Sequence, residues 1–262
     1  MTMERRAFVG TAGWAIPKDR IGDFPADGSA LERYSTLFNA TEINSSFHRR
    51  HRPSTWARWA ASVPKDFRFS VKLPKVITHE RRLADCSALL EEFVADTEPL
   101  ADKMGVVLIQ LPPSLVFDEG CADKFFYQLG KRLSCDFACE PRHASWFAPL
   151  VDDFLKAHHV ARVAADPGKP AGAEHFGGSF ETVYLRLHGS PAIYRTSYDD
   201  KRLVAYASTV RASMQTSTPW VIFDNTASGA ATGNALAMQS LLLGSQADVH
   251  LRARATGKSS QG

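Results

Sequence analysis

The chain has 262 residues, of which 44% are hydrophobic and 23% are charged, a composition typical of a globular protein with a sizeable core. Its 31 basic and 28 acidic residues leave a net charge of +3, with no long basic tract that would indicate nucleic-acid binding. No apolar run approaches the roughly 20 residues that a membrane-spanning helix needs, and the N-terminus lacks the apolar segment of a signal peptide. We therefore expect a cytoplasmic protein without a membrane partner.

Segments in which apolar and polar residues alternate, as they do in strands, recur along the whole chain. There are eight of them, at residues 8–14, 40–47, 68–73, 106–111, from 136 onward, 161–166, 182–188 and 220–224. Stretches with apolar residues at helical spacing, about seven in all, lie between them. Residues 167–180 are rich in Gly and Pro, so the unit after strand six is expected to have a degenerate or missing helix.

This alternation of strands and helices predicts an α/β protein, specifically a single (β/α)₈ TIM barrel. The alternative is an open doubly wound sheet, which usually has a Gly-rich G-x-G-x-x-G turn after its first strand, and this chain has none. We expect one TIM-barrel domain over residues 1–244. Residues 245–262 are polar and basic, and we expect them to form a flexible C-terminal tail.

Polar residues concentrate toward the carboxyl ends of the predicted strands, where TIM barrels have their active sites. The clearest case is the strand that begins at Asp136, which buries apolar residues and then ends in Glu140, Arg142 and His143. Buried charges are costly unless they are paired, so such residues form either a functional site or a stabilising ion-pair network. The residues that the other strands contribute are Glu42, Asn44, Lys72, Gln110, Asp166, Arg186, His188 and Asn225.

Eight short motifs, in order along residues 7–243, resemble the YecE-like family, also called domain of unknown function 72. They are Gly10-Thr-Ala-Gly13-Trp14, Glu42-Ile-Asn44-Ser-Ser-Phe47, Phe69-Ser-Val-Lys72, Ile77-Thr78-His79, Gln110-Leu-Pro112-Pro113, Glu140-Pro-Arg142-His143-Ala-Ser-Trp146, Arg186-Leu-His188-Gly189 and Phe223-Asp-Asn225. The resemblance implies a TIM-barrel fold and supplies no activity, because the family is named for lacking one.

Three positions depart from the pattern of that family. Phe24-Pro25 lacks the tyrosine of the usual Phe-Tyr-Pro, and His48 stands where an aromatic residue usually follows Ser-Ser-Phe. The usual Asn-Asn after the last strand is Asp224-Asn225, so Asn225 rather than Asp224 is included in the predicted site.

The candidate residues divide by chemistry. Glu140 is expected to act as general acid or base, and His188 and Glu42 would complete proton transfer or coordinate an optional metal. Asp166 is a further catalytic candidate. The cations Lys72, Arg142 and Arg186 would hold an anion, because guanidinium groups bind phosphate and carboxylate well. Further substrate-binding candidates are Asn44, Gln110, His143, Asn225, Trp14 and His79.

These features predict an enzyme, of the hydrolase, lyase or isomerase type, acting on an anionic and phosphorylated small molecule or nucleic-acid component. One alternative is a non-catalytic barrel that binds an anion or nucleotide. Another is a metal-dependent phosphodiesterase or endonuclease, although no ligand spacing indicates a divalent metal. The expected partner is a small anionic ligand, since the net charge does not support nucleic acid, and the oligomeric state is left open.

Overall fold

A computed structural model describes the backbone of residues 6–256 and the side chains of residues 6–244. The strands are β1 (Phe8–Thr11), β2 (Ala40–Ile43), β3 (Arg68–Lys72), β4 (Met104–Gln110), β5 (Asp136–Glu140), β6 (Val160–Arg162), β7 (Ala164–Asp166), β8 (Gly177–Gly178), β9 (Thr182–Leu187) and β10 (Thr218–Phe223). The α-helices are α1 (Ala30–Ser35), α2 (Ser45–His48), α3 (Pro53–Ala61), α4 (Ser87–Thr97), α5 (Glu119–Arg132), α6 (Pro149–Ala157), α7 (Asp200–Ser213) and α8 (Ala230–Thr256). Tighter or wider helical turns lie at Lys18–Asp23, Val76–Glu80, Glu98–Lys103 and Ala144–Phe147.

The strands form two sheets. One has the order β1-β10-β9-β7 and the other the order β2-β3-β4-β5-β6-β8. All pairings are parallel except that of β6 with the two-residue β8. The predicted α/β fold with parallel strands is therefore confirmed. The closed eight-stranded barrel stays a prediction, because the strand pairings in the described part of the chain form two separate sheets.

Apolar side chains pack on both faces of these sheets. The larger cluster lies between strands and helices, and includes Val71, Leu90 and Phe125. A smaller cluster joins residues of both sheets, so the two sheets face each other across it. Its members are Ala40, Val106, Leu108, Ala138, Val163, Tyr184, Trp220 and Ile222. Because side chains alternate along a strand, the next inward position after Tyr184 on β9 is Arg186, which places charge directly beyond this apolar layer.

Side chains at the starts of several helices explain why the helices begin where they do. Ser29 accepts a hydrogen bond from the Glu32 amide, and the Glu32 carboxylate accepts one from the Ser29 amide. The side chains of Asp118 and Asp199 cap α5 and α7, and each accepts one hydrogen bond from an amide in the first turn of its helix. Such caps satisfy amide groups that have no partner within the helix.

The second predicted strand ends earlier than expected. The second strand, predicted over residues 40–47, stops at Ile43, and the helical turn α2 follows it. The hydroxyl of Ser46 lies 2.8 Å from the Ile43 carbonyl oxygen and 2.6 Å from that of Lys72. These contacts draw the chain back over the end of β3, so the strand cannot continue.

The region around the sixth predicted strand is divided. Residues 161–166 contribute to two strands, with β6 pairing with β5 and β7 pairing with β9. Residues 167–181 contain turns and β8, and no helix is formed within this described segment, in agreement with the expectation that the helix is missing.

The C-terminal prediction is only partly covered. The backbone of α8 continues to Thr256, beyond the expected domain boundary at residue 244, and residues 257–262 lie outside the described residues. The single domain and the flexible tail stay predictions. Among the described residues, no helix has both the length and the apolar character needed to cross a bilayer.

We predict that Gly10→Ala destabilises the protein, because β1 and β2 approach too closely for a side chain there. A Cβ atom at Gly10 would lie 1.9 Å from the Ala40 carbonyl oxygen and 2.9 Å from the Tyr34 hydroxyl. That hydroxyl donates to the same carbonyl (3.1 Å) and accepts from the Thr11 amide (2.8 Å). Overpacking of this kind lowers the free energy of unfolding by about 1–3 kcal/mol or more, measurable by urea denaturation.

Gly130→Ala is the matched control, since a Cβ atom at Gly130 in α5 would meet no atom within 4 Å. Alanine is favoured over glycine within helices by about 0.5–1 kcal/mol, so this variant is expected to gain stability. Equal unfolding free energies for the two variants would contradict the steric argument.

Candidate functional site

Arg186 lies at the centre of a buried cluster of charges, with 1% of its surface exposed. Its Nε and Nη2 donate to the two carboxylate oxygens of Glu42, at 3.0 and 2.7 Å. Its Nη1 donates to Glu140 Oε2 at 3.0 Å, and its Nη2 lies 2.9 Å from Asp224 Oδ2. One guanidinium therefore contacts three carboxylates that reach it from β2, from β5 and from the residue after β10.

His188 connects two of these carboxylates. Its Nε2 lies 2.9 Å from Glu140 Oε1, and its Nδ1 lies 3.0 Å from Asp224 Oδ2. An imidazole that faces an acceptor at each nitrogen is best satisfied when both nitrogens carry protons. Burial lowers the pKa of His188, but Glu140 and Asp224 outweigh it and raise the pKa above its ordinary value. The ring of Tyr194 covers the imidazole edge-on, with centroids 5.9 Å apart.

Arg142 extends the cluster toward solvent. Its Nη2 donates to Glu140 Oε1 and lies 3.1 Å from His188 Nε2. Its side chain is 23% exposed, whereas that of Glu140 is 2% exposed. The Nε of Arg142 is buried and has no hydrogen-bond partner within residues 6–244. This guanidinium therefore retains donors for a further group.

Two neutral hydroxyl groups, those of Tyr184 and Ser70, lie beside Glu42 on the side of the apolar layer. The Tyr184 hydroxyl donates to Glu42 Oε2 at 2.8 Å and lies 2.9 Å from Ser70 Oγ. Burial and the adjacent Glu42 raise the pKa of Tyr184 well above its usual value, so this phenol stays protonated and acts as a donor. Glu42 is thus engaged by Arg186 and Tyr184 on both of its oxygens.

Lys72, at the end of β3, has a different environment. It is 8% exposed, and its Nζ lies 4.3 Å from the centroid of the Phe47 ring. No hydrogen bond or ion pair involves this ammonium group within the side chains that the structure describes. The imidazole of His79 packs edge-on against the same Phe47 ring at 5.0 Å, and its Nδ1 lies 2.8 Å from Thr78 Oγ1.

The pairing holds the carboxylates in their ionised form. Burial opposes ionisation of Glu140, but Arg186, Arg142 and His188 outweigh it and hold its pKa well below the usual range. Asp224 is also lowered, since Arg186 and His188 outweigh its burial. With His188 protonated, three carboxylates face four cations, among them Lys72, and the site has one positive charge in excess.

Five of the predicted site residues meet in this cluster: Glu42, Glu140, Arg142, Arg186 and His188. Lys72 and His79 lie beside it, joined through Phe47. Asp166 lies apart, since both of its oxygens accept from Arg202 Nη2 of α7, at 3.0 and 2.8 Å.

The remaining candidates have mainly structural contacts. His143 Nδ1 lies 2.9 Å from Ser145 Oγ, where it caps the turn at Ala144–Phe147. Trp14 packs edge-on against Trp59 at 5.1 Å. Asn225 Nδ2 donates to Thr196 O and to Asn234 Oδ1, both at 2.9 Å, which ties the loop after β10 to α8.

Two of the candidates, Asn44 and Asn225, each retain an unused hydrogen-bond acceptor within the described part of the chain. Asn44 Oδ1 and Asn225 Oδ1 are both buried and have no hydrogen-bond partner among the described residues. Gln110 pairs with Glu140 in the register of β4 and β5, which places it next to the cluster.

Asp224, Tyr184 and Ser70 were missing from the predicted set. A signal for Tyr184 was present, because strand alternation puts it on the same face as Arg186 and His188. Asp224 was set aside as a departure from the family pattern, yet it contacts both Arg186 and His188.

Metal binding finds no support in this geometry. Within residues 6–244, no three His, Cys, Asp or Glu side chains are arranged to hold a metal ion. Each carboxylate of the cluster already faces a guanidinium, imidazole or hydroxyl group through at least one oxygen.

Comparison with known proteins agrees with the resemblance seen in the motifs. The family model described as "Protein of unknown function DUF72" matches residues 8–259. The UPF0759 protein YecE of Escherichia coli is 34% identical over 106 residues, which is 40% of this chain and 37% of that protein. The UPF0759 protein YunF of Bacillus subtilis is 25% identical over 150 residues, covering 54% of this chain and 52% of that protein. The chain thus matches only about a third to a half of the length of these relatives.

Solved structures of the same family show the same fold. A DUF72 family protein from Enterococcus faecalis superposes with a TM-score of 0.79 at 20% identity, covering 91% of this chain and 96% of that one. Another from Thermotoga maritima gives a TM-score of 0.73 at 24% identity, over 90% of this chain and 99% of that one. At these identities the likeness concerns the fold alone.

We predict that His188 makes stability decline in alkaline solution. Its pKa is raised in the folded protein, so its contribution is complete below the unfolded value of about 6.5 and is lost as the pH rises through the folded value. The depressed pKa values of Glu140 and Asp224 act in the opposite range, since their contributions are complete above about pH 4 and are lost in acid.

The measurement is the free energy of unfolding of wild type and His188→Gln across a pH series. The difference between them should shrink as the pH rises above about 6.5 and through the raised pKa of His188, where the imidazolium loses its proton. His175→Gln, at a histidine whose side chain is 76% exposed, should leave the alkaline slope of the wild type unchanged. A constant difference between wild type and His188→Gln would show that His188 does not gain its proton on folding.

Proposed function

This chain belongs to the DUF72 family of proteins of unknown function, and we propose that it is an enzyme acting on a small anionic molecule at the carboxyl ends of its strands. One observation carries the proposal. Every carboxylate of the cluster is engaged, whereas among the described side chains Arg142 Nε is buried without a partner and the Lys72 ammonium group makes no hydrogen bond. A buried cation without a full set of partners is costly, and an anionic ligand would supply them.

The proposed site needs the carboxyl ends of both sheets to form one ring, as in a (β/α)₈ TIM barrel. Two features support closure of the sheets into such a barrel. Ala12, just after β1, forms a parallel bridge with Glu42, and the Gly13 amide donates to the Glu42 carbonyl at 2.8 Å. On the opposite side, residues 160–166 pair with one sheet through β6 and with the other through β7. A crystal structure with an open gap at either place would contradict closure.

Arg142 is proposed to meet the anion first. It is the guanidinium of the cluster with the most exposed side chain, at 23% against 1% for Arg186. A planar guanidinium can present two parallel donors to a phosphate or carboxylate group. The N–H groups of Arg186 face Glu42, Glu140 and Asp224. Its proposed role is therefore to position those carboxylates rather than to bind substrate.

His188 is proposed to carry the proton. Glu140 is held ionised well below its ordinary pKa, and its oxygens face Arg142, Arg186 and His188, so it is poorly placed to exchange protons itself. Its proposed role, with Asp224, is to orient the imidazole and to stabilise its charged form, as carboxylates do beside catalytic histidines. A histidine of this kind serves hydrolase, lyase and isomerase chemistry alike.

We predict that inorganic phosphate stabilises the wild-type protein and that Arg142→Gln abolishes the effect. A ligand that binds only the native state adds about 2.7 kcal/mol at 100 times its dissociation constant, which a thermal melt detects. The control is Arg132→Gln, because the Arg132 side chain is also 23% exposed but pairs with Glu91 at 2.8 Å, outside the cluster. This control should keep the response to phosphate.

Two results would decide against the proposal. If neither phosphate nor small carboxylates stabilise the wild type, the anion site is wrong. If a phosphorylated compound binds the wild type and His188→Gln equally and neither protein converts it, the chain is a binding protein rather than an enzyme.

A further inference from the structure

Lys72 differs from the other cations of the site because no oxygen partner of its ammonium group is found within residues 6–244. It is 8% exposed, and the contact described for its ammonium group is the face of Phe47, 4.3 Å away. Arg186, by contrast, donates hydrogen bonds to Glu42 and Glu140, and Arg142 donates one to Glu140. Since the carboxylates of the cluster already face Arg186, they leave Lys72 without a hydrogen-bonded counter-ion.

A buried ammonium group in this position is favoured to release its proton. Burial is the main cause that lowers the pKa of Lys72, and the charge of Arg186 adds to it, while Glu42, Glu140 and Asp224 oppose the shift without cancelling it. Each unit by which such a pKa falls gives about tenfold more neutral amine near pH 7. The neutral amine is the nucleophilic form of a lysine.

We propose that Lys72 is a nucleophile that forms a Schiff base with the carbonyl group of an anionic aldehyde or ketone. The inference rests on the anion site proposed above and names its substrate class, with Arg142 holding the anionic group while the carbonyl carbon faces Lys72. The amine nitrogen bonds to the carbonyl carbon and gives up one proton, and the carbonyl oxygen takes up a proton in exchange, which gives a carbinolamine. Departure of that hydroxyl as water then leaves the imine, so no oxidant or reductant is needed.

His79 is placed to serve these proton transfers. It packs against the same Phe47 ring as Lys72, and its Nδ1 is held by Thr78 Oγ1 at 2.8 Å. Burial, followed by the charges of Lys72 and Lys75, lowers the pKa of His79. It is therefore neutral near pH 7 and can accept the proton that the ammonium group releases, then return one to the departing hydroxyl.

Phe47 supplies the apolar surface that this chemistry needs. Its ring contacts both the Lys72 ammonium group and His79. The face of an aromatic ring attracts a cation, so it is the burial of the amine, and not the ring face, that disfavours the charged lysine. The ring also limits access of water to the imine once it has formed.

Reductive trapping tests the inference on the intact protein. Wild type is incubated with glyoxylate or glyceraldehyde 3-phosphate and sodium cyanoborohydride, and the modified lysines are mapped by peptide mass spectrometry. Propanal is the uncharged control aldehyde. Lys72 should be modified in preference to the exposed Lys156 and Lys201 of the same sample, because the neutral amine is the form that attacks a carbonyl group.

Two variants separate this inference from the anion site. Lys72→Arg cannot form an imine, so it should lose the adduct. Arg142→Gln should lower trapping of glyoxylate and glyceraldehyde 3-phosphate without changing that of propanal.

The outcomes are distinguishable. Stabilisation by phosphate without preferential modification of Lys72 by any of the three aldehydes overturns the Schiff-base inference and leaves the anion site standing. Preferential modification of Lys72 by all three aldehydes, without stabilisation by phosphate, supports the nucleophilic lysine and overturns the anion site. Loss of both effects overturns both.

Discussion

The contact of one buried guanidinium with three carboxylates is the interaction on which the site of this protein depends. Arg186 reaches Glu42, Glu140 and Asp224 at 2.7 to 3.0 Å, and these partners come from both sheets. Each carboxylate alone would be costly to bury, and several donors in a fixed plane are needed to compensate all three. The same side chain therefore neutralises the interior and determines where the strand ends stand relative to one another.

The contacts of Arg186 determine which polar groups of the site remain available to a ligand. Because Arg186 donates to Oε2 of Glu140, His188 and Arg142 meet that carboxylate at Oε1. No carboxylate partner of Lys72 is found among the described side chains. Among the described residues, Arg142 Nε is buried without a hydrogen-bond partner, and burial lowers the pKa of Lys72. An anion would complement these two groups, as proposed for this site.

Several differences between prediction and structure have one cause, which is that strand periodicity shows the face of a residue but not its neighbours. Asp166 ends its strand as the other candidates do, yet Arg202 of α7 takes both of its oxygens. His143 follows Arg142 by one residue and points into the next turn, where it caps Ala144–Phe147. Asp224, set aside for departing from a family pattern, became a partner of His188 because the strand end brought it within 3.0 Å.

The sequence by itself determined that the chain is an α/β protein with parallel strands, that it belongs to the DUF72 family, and that Glu42, Glu140, Arg142, Arg186 and His188 lie at the strand ends. Alternation and local motifs carry that information because they depend on near neighbours in the chain. Only the tertiary structure decided which charges pair. Tyr184 and Glu42 are 142 positions apart in the chain and meet at 2.8 Å. Arg186 likewise takes up the carboxylates from distant strands, and among the described residues none is hydrogen-bonded to Lys72. Such pairings depend on distances across the fold, which no local pattern of residues encodes.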